Sequence, residues 1–247
     1  IHMAGIASPV YYIKYPIETI HTATIGTENL LKLAREKKSK KLLFFSSSEI
    51  YGDPTPEFVP TPETYRGNVS STGPRACYDE SKRLGETLCM VYHSLYKVPV
   101  VIVRPFNVYG PGMKQDDRRV IPQFLSCAFA GKPLPIHGNG LQTRSYCYTT
   151  DALTGFFKAL LSSRSGEVYN IGSHEGETNL IDLAGIIAQL LGRRVKVSKI
   201  PYPAEYPSDE PSRRCPDITK ARRELQYEPE VDLEAGLQRM LSWCEET

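Results

Sequence analysis

The sequence predicts an α/β fold built on a parallel sheet. Three observations lead there. Leu42–Phe45, Val98–Val103 and Val168–Ile171 are short, uninterrupted apolar runs, the pattern of strands buried on both faces. Between them lie segments whose apolar residues recur at helical spacing, and strands alternating with helices imply parallel crossovers. The chain leaving each of the first two runs is polar and unusual in wording. Such segments lie at the carboxyl edge of a parallel sheet, where ligands bind.

The chain opens Ile1-His2-Met3-Ala4-Gly5, in what reads as the middle of a hydrophobic element, with no signal peptide and no polar lead-in. Residues 16–36 read as helix, with Pro16 near its start and Ile17, Ile20, Thr24, Leu30, Leu31, Leu33 and Ala34 broadly at helical spacing. The basic run from Arg35 to Lys41 closes it, a solvated end that complements the helix dipole. The first apolar strand stops at Ser46-Ser47-Ser48. Residues 53–76, rich in Pro, Thr, Gly and Ser, form a long loop of the kind that carries function. Residues 77–97 are helical, with Leu84, Leu88, Val91, Tyr92 and Leu95 on one face. The second strand then runs into the loop Arg104–Gly112. Beyond it we expect helices over Val120–Ala130, Asp151–Leu161 and Leu180–Leu191, the last ended by Gly192. Leu134–Ile136 and Val195–Ile200 are extended, and residues 201–216 are a Pro-rich loop. Asp217 and Asp232 stand where helix N-caps belong. There is no internal repeat and no low-complexity tract.

Composition narrows the function classes. The 247 residues suffice for one large domain or two small lobes, and 40% hydrophobic with 23% charged residues is ordinary for a globular chain. Thirty Lys+Arg against 28 Asp+Glu give no prior for nucleic acid or an anionic membrane. No apolar run approaches the roughly 20 residues that span a bilayer. None of the six cysteines forms a C-x-x-C pair, so no zinc ribbon or other metal site is indicated, and their scatter fits a reducing compartment.

Two clusters carry chemistry. Ser46-Ser47-Ser48-Glu49-Ile50-Tyr51-Gly52 follows the first strand directly. Tyr78-x-x-x-Lys82 lies on the next helix, and a spacing of four puts both side chains on one face. An ammonium beside a phenol favours the phenolate. A hydroxyl such as Ser47 can share the proton, so the set suits moving a proton on and off an alcohol while hydride leaves its carbon. Y-x-x-x-K alone arises often by chance on surface helices; here its placement after a strand and a hydroxyl cluster raises its weight.

Together these stretches resemble the extended short-chain dehydrogenases/reductases of the nucleotide-sugar epimerase/dehydratase type, and within them the UDP-glucuronate decarboxylase branch. The stretches that carry the likeness are His2–Pro9, Thr24–Thr27, Ser46–Pro54, Gly73–Arg83, Arg104–Pro111, Gln142–Arg144 and Arg214–Asp217, of which Gly73–Arg83 is the most specific. The resemblance implies a Rossmann-type parallel sheet with a smaller C-terminal α/β substrate lobe. It implies that the sugar is oxidised at C4 with bound NAD+, Tyr78 acting as base, Lys82 as its electrostatic support and ribose contact, and Ser47 as hydroxyl partner. The C4 ketone makes a uronic acid a β-keto acid, which loses CO2 readily. Glu49 and Arg214 match the family positions that assist that loss. Glu49 is also readable as an ordinary surface carboxylate, and Arg213 adjoins Arg214. Cofactor contacts carried over are Met3, Thr22, Ser46, Tyr78, Lys82, Val108 and Arg119. Substrate contacts are Asn29, Asn107, Gly138, Gln142 and Arg144. The Arg144 fork suits a diphosphate, and a solvated surface arginine is the alternative.

One position sorts the branches. The related 4,6-dehydratases carry Asp where this chain has Ser48, because water elimination needs an acid there. Ser47 replaces the commoner Thr, and loop 53–72 is unusual in wording. None of the 18 glycines gives the G-x-x-G-x-x-G turn of a dinucleotide site. We therefore expect a C-terminal segment of a longer enzyme, or an N-terminal part outside this sequence. Residues 1–110 would complete the NAD-binding domain, with 145–172 packing back on it. Residues 111–247 would mainly form the nucleotide-sugar lobe. The partners implied are a UDP-sugar and a second copy of the chain, paired through helices 16–36 and 77–97. The rival functions are a UDP-sugar 4-epimerase or 4,6-dehydratase, and a non-catalytic scaffold. The compartment expected is the cytoplasm, with a membrane-anchored secretory location as the alternative.

Overall fold

The computed structural model describes residues 1–114, 117–201 and 211–246. Strands β1 (Leu42–Phe45) and β2 (Val100–Pro105) pair in parallel. Two-residue β3 (Val108–Tyr109), β4 (Leu134–His137), β5 (Thr143–Arg144) and β6 (Cys147–Tyr148) follow, then β7 (Glu167–Ile171), which pairs in parallel with β2. His2 adds a parallel bridge to Phe44 on the free edge of β1, so the order is His2, β1, β2, β7. Every residue of β1 is buried, as an apolar run without alternation requires.

The helical stretch near the start is longer and more broken than its spacing suggests. It consists of α1 (Pro9–Lys14), α2 (Pro16–His21), a π-helical turn at Thr22–Gly26 and α3 (Thr27–Glu36). Six-residue α1 escapes a periodicity search. It is set by Pro9 in its first turn and by burial of Tyr12. Thr19, Thr22, Thr24 and Thr27 each donate a hydroxyl hydrogen bond to the carbonyl four residues back. Because the Thr27 hydroxyl hydrogen goes to Ala23 O, Thr27 Oγ1 accepts from His2 Nε2 at 2.9 Å, which leaves His2 Nδ1 as a bare acceptor.

Helix α4 (Ala76–Tyr96) crosses one face of the sheet, where Leu31, Ala34, Cys89 and Tyr92 pack on Leu42, Phe44, Val100 and Ile102. The other face, with Leu43, Phe45, Val101, Val103, Tyr169 and Ile171, is covered by α6 (Thr149–Leu161) and α8 (Thr219–Leu225). A separate core joins α5 (Val120–Phe129), β4, α7 (Leu180–Leu190) and α9 (Leu233–Glu246) through Phe124, Leu134, Leu183, Ile187 and Leu237. There β4 pairs with β9 (Val197–Ile200), and β5 lies between β8 (Thr178–Asn179) and β10 (Arg213–Arg214). Gly192 at φ 60° closes α7. Asp232 Oδ1 accepts from Ala235 N at 2.7 Å, whereas Asp217 accepts from Thr219 N one residue before the cap position, which Ile218 holds. Of the Pro-rich stretch 201–216, residues 202–210 lie outside the described residues.

The long loop after β1 is stitched down by a buried polar network. Arg104 forks onto Glu86 at 2.9 and 2.6 Å and donates to Tyr51 Oη at 2.6 Å. Tyr51 donates to Asn170 Oδ1, and Asn170 Nδ2 donates to Thr61 O and Asp217 O. Thr61 N donates to Cys215 O, and Asp217 N donates to Thr61 O. The loop thereby holds the chain that follows β10.

Gly85 permits the close approach of α4 to the sheet. A Cβ there would stand 2.6 Å from Phe44 Cζ and 3.0 Å from Ala23 O. Gly85→Ala is expected to destabilise the fold by about 1–3 kcal/mol through overpacking, despite the better helix propensity of alanine. Urea unfolding measures this; an unchanged midpoint would contradict the packing described.

Candidate active site

The site grows from the carboxyl end of β1. The chain leaves the sheet at Ser46, turns at extended Ser47 and enters a 3-10 turn over Ser48–Tyr51. Ser47 Oγ accepts from Glu49 N at 3.2 Å and so caps that turn. Helix α4 starts beside it and brings Tyr78 and Lys82 to the same edge. Tyr78 is buried beside Ser47 and stacked on Tyr12 with ring centroids 5.1 Å apart.

Tyr78 and Lys82 differ from the expected electrostatics. Lys82 Nζ donates to Phe45 O at 2.8 Å and lies 5.9 Å from the centre of the Tyr78 ring. Burial pushes the Tyr78 phenol up to about 12, and the neighbouring Ser47 hydroxyl only partly offsets it. Burial pushes Lys82 down to about 8, with Glu86 opposing. Tyr78 is thus a neutral phenol at neutral pH in this arrangement.

Glu49 is the centre of a second, ionic group. Arg214 forks onto its two oxygens at 2.6 and 2.7 Å, and Arg75 also pairs with it. Arg75 reaches back to Asp79 at 3.4 Å along α4. Arg75, Asp79 and Arg214 are all buried. Burial, with Glu49 nearby, pushes the Asp79 carboxyl up to about 7 against the pull of Arg75 and Arg214. Arg75 and Asp79 were not singled out from sequence. Their i, i+4 spacing around Tyr78 was the available signal. Tyr12 was missed together with its short helix.

The ambiguity between Arg213 and Arg214 resolves through strand alternation. Arg214 turns to Glu49. Arg213 turns the other way, pairing with Glu177 at 2.9 and 2.7 Å beside a cavity of about 630 Å³. Gln142, Thr143, Asn139 and Ser212 also line that cavity. Arg144 is buried and donates to the carbonyls of Thr143, Pro211 and Ser212, bracing the cavity wall from behind. Asn107, at φ 40°, donates to Ser145 O at 2.9 Å, and Val108 follows in β3. Met3 and Asn29 are exposed, and Thr22 donates to Glu18 O. Arg119 is exposed and paired with Asp117, and Gly138 donates its N–H to Ile200 O.

The edge formed by His2 and β1 suits a polar ligand. Ser46 Oγ and His2 Nδ1 are buried without a hydrogen-bond partner among the described residues. Gly5 leaves room beside Lys82, since a Cβ there would stand 3.3 Å from Nζ. Hydroxyl groups of a ribose match these unfilled positions in kind.

A family model for the NAD dependent epimerase/dehydratase family matches residues 1–172, which is most of the chain. The chain belongs to that family. Among relatives of this epimerase/dehydratase chain, UDP-glucuronic acid decarboxylase 5 of Arabidopsis thaliana is 41% identical over 239 residues, 97% of this chain and 67% of that protein. UDP-glucuronic acid decarboxylase 1 of Xenopus tropicalis is 41% identical over 98% of this chain and 55% of its own length. The chain therefore spans from about half to two thirds of these relatives. The crystal structure of a UDP-glucuronic acid 4-epimerase from Bacillus cereus, in complex with UDP-glucuronic acid and NAD, superposes with TM-score 0.78 at 30% identity, covering 92% of this chain and 68% of that one. The Rossmann-type α/β fold and the family's use of NAD follow.

Tyr78→Phe retains the stack on Tyr12 and removes the phenol placed beside Ser47. We expect kcat for sugar oxidation to fall by roughly 100-fold or more, with the thermal unfolding midpoint little changed. A variant with near-normal kcat would show that another group moves the proton.

Proposed function

We propose that this chain carries the catalytic residues and the sugar-nucleotide site of a UDP-glucuronate decarboxylase that works through a 4-keto sugar. The observation that carries this is the Arg214 fork onto Glu49, set beside Ser47 and Tyr78 at one sheet edge. An epimerase that only oxidises, rotates and reduces its sugar has no need of an ion pair at this place. A dehydratase needs an acid where Ser48 stands, and a serine hydroxyl does not titrate near neutrality. Relatives named as UDP-glucuronic acid decarboxylases support the same choice.

In this proposal Met3, Thr22, Ser46, Tyr78, Lys82, Val108 and Arg119 hold the cofactor. NAD+ bound there supplies a hydride acceptor for C4 and the positive charge that lets the Tyr78 phenol ionise. Tyr78 takes the C4 hydroxyl proton, and Ser47 holds the same oxygen. The resulting ketone is β to the C6 carboxylate. Breaking the C5–C6 bond releases CO2 and leaves its electron pair delocalised into the ketone as an enolate. C5 then takes a proton from solvent, C4 takes back the hydride it gave up, and Tyr78 returns its proton to the oxygen. Arg214 orients the carboxylate, and Glu49 repels it toward departure as neutral CO2. Asn29, Asn107, Gly138, Gln142 and Arg144 hold the nucleotide-sugar, with the cavity beside Arg213 as its seat. Residues 1–110 with 145–172 serve the cofactor side, and the remainder mainly serves the substrate.

Two further assignments belong to this proposal. Leu84, Val91 and Leu95 of α4 and Ile17 and Leu33 of the neighbouring helices are exposed, which supports pairing of two copies through these helices. Sedimentation equilibrium is expected to give twice the chain mass; a monomer at all micromolar loadings would contradict it. The six cysteines are free, which supports a reducing compartment such as the cytoplasm. No helix among the described residues is long and apolar enough to cross a membrane.

Incubating the full-length protein with UDP-glucuronate and NAD+ tests the activity. The expected products are CO2 and a UDP-pentose. UDP-galacturonate with its carboxylate intact would establish an epimerase instead, and absence of any turnover with bound NAD would favour a scaffold.

A further inference from the structure

Asp79 stands apart from the residues given a role in the reaction, yet it is 3% exposed and adjoins Tyr78 in the chain. Its Oδ2 makes a long 3.4 Å contact with Arg75 Nε, and its Oδ1 has no hydrogen-bond partner among the described residues. Arg75 also pairs with Glu49, and Glu49 is held in turn by Arg214. Among the described residues Asp79 is therefore the weaker of two carboxylates sharing one guanidinium. The charged groups facing it there are Arg75 at the start of its own helix, Glu49 from the 3-10 turn and Arg214 from β10, and its titratable neighbours are Cys77 and Tyr78 of its own helix. Two carboxylates against two guanidiniums balance within this set when Asp79 is ionised.

We propose that Asp79 is a positioning residue that takes up a proton when a third carboxylate, that of a sugar uronate, is brought against Arg214. The inference rests on the decarboxylase proposal and assigns it a charge-balancing group. Arg214 alone cannot neutralise Glu49 and a uronate together, and a further anion in a buried site disfavours ionisation of the most weakly held carboxyl. Protonating Asp79 releases its hold on Arg75, which keeps its pairing with Glu49 while Arg214 is shared with the substrate. The proton comes from solvent, and no bond of the substrate changes. Asp79 begins near the midpoint of its titration at neutral pH, since burial already holds it at about 7.

The test is isothermal titration of the full-length, NAD-bearing protein in buffers of different ionisation enthalpy, in a Tyr78→Phe background that halts turnover. UDP-glucuronate is expected to bind with uptake of about half a proton per site at about pH 7. UDP-glucose, which lacks the carboxylate, is expected to bind with none. A group whose pKa rises on binding favours the complex at low pH. UDP-glucuronate affinity should therefore fall above about pH 7, toward tenfold per pH unit, while UDP-glucose affinity stays flat. Asp79→Asn should abolish both the uptake and the slope, whereas a merely structural role would leave the proton count unchanged. If Asp79→Asn does not fold, the comparison of the two ligands on protein with Asp79 intact decides. Uptake of equal size with UDP-glucose, uptake that persists in Asp79→Asn, or UDP-glucuronate binding with no uptake overturns the inference alone. Failure of the unsubstituted protein to release CO2 from UDP-glucuronate overturns the decarboxylase proposal as well.

Discussion

Glu49, half-buried between Arg75 and Arg214, draws together three parts of the chain that are remote in sequence: the turn leaving β1, the start of α4 and the short strand β10. Charges taken out of water this way are costly unless they are fully paired, and removing one partner of a buried pair costs about 3–5 kcal/mol. The surrounding structure must therefore hold all of these segments in register at once. It does so with uncharged contacts placed nearby. Thr61 exchanges backbone hydrogen bonds with Cys215 and Asp217, immediately after Arg214. Ser47 caps the turn that carries Glu49. The Arg104–Tyr51–Asn170 network ties the loop between these points to the sheet beneath.

This arrangement explains why the sheet edge that carries Tyr78 and Glu49 combines two different electrostatic regimes. Around Tyr78 and Lys82 burial dominates, and both groups are driven toward their neutral forms. A few residues away, around Glu49, opposite charges are matched one to one, with Asp79 the least well held. A proposed decarboxylation needs both regimes. The first keeps a phenol ready to exchange a proton with an alcohol. The second meets a carboxylate with fixed charge rather than with mobile water.

Much of the sheet was legible from sequence because its strands are continuous apolar runs and its helices are long enough to show a period. The Tyr78–Lys82 pair and Ser47 were legible as a set because strand, hydroxyl cluster and helix follow one another in the chain. The remainder depends on contacts that no local pattern encodes. β5, β8 and β10 are two residues long each and exist only through one another, so no periodicity announces them. Whether Arg213 or Arg214 meets Glu49 is decided by which side of β10 each faces, a question of register rather than of wording. Arg75 and Asp79 read as an ordinary helix-surface pair until α4 is docked with them inward. Arg144 reads as a phosphate ligand by type, and no local pattern announces its donations to the backbone of residues 143, 211 and 212.

In the proposed reaction Glu49 and Arg214 act on loss of the carboxylate and not on oxidation at C4. The most direct test follows Glu49→Gln in the full-length NAD-bearing protein, mixed once with UDP-glucuronate labelled at C6. Near-ultraviolet absorbance reports reduced nicotinamide, and released label reports CO2. Absorbance is expected to rise and persist while the label stays on the sugar. Label released at the unsubstituted rate, or absorbance that never rises although the substrate binds, would contradict this.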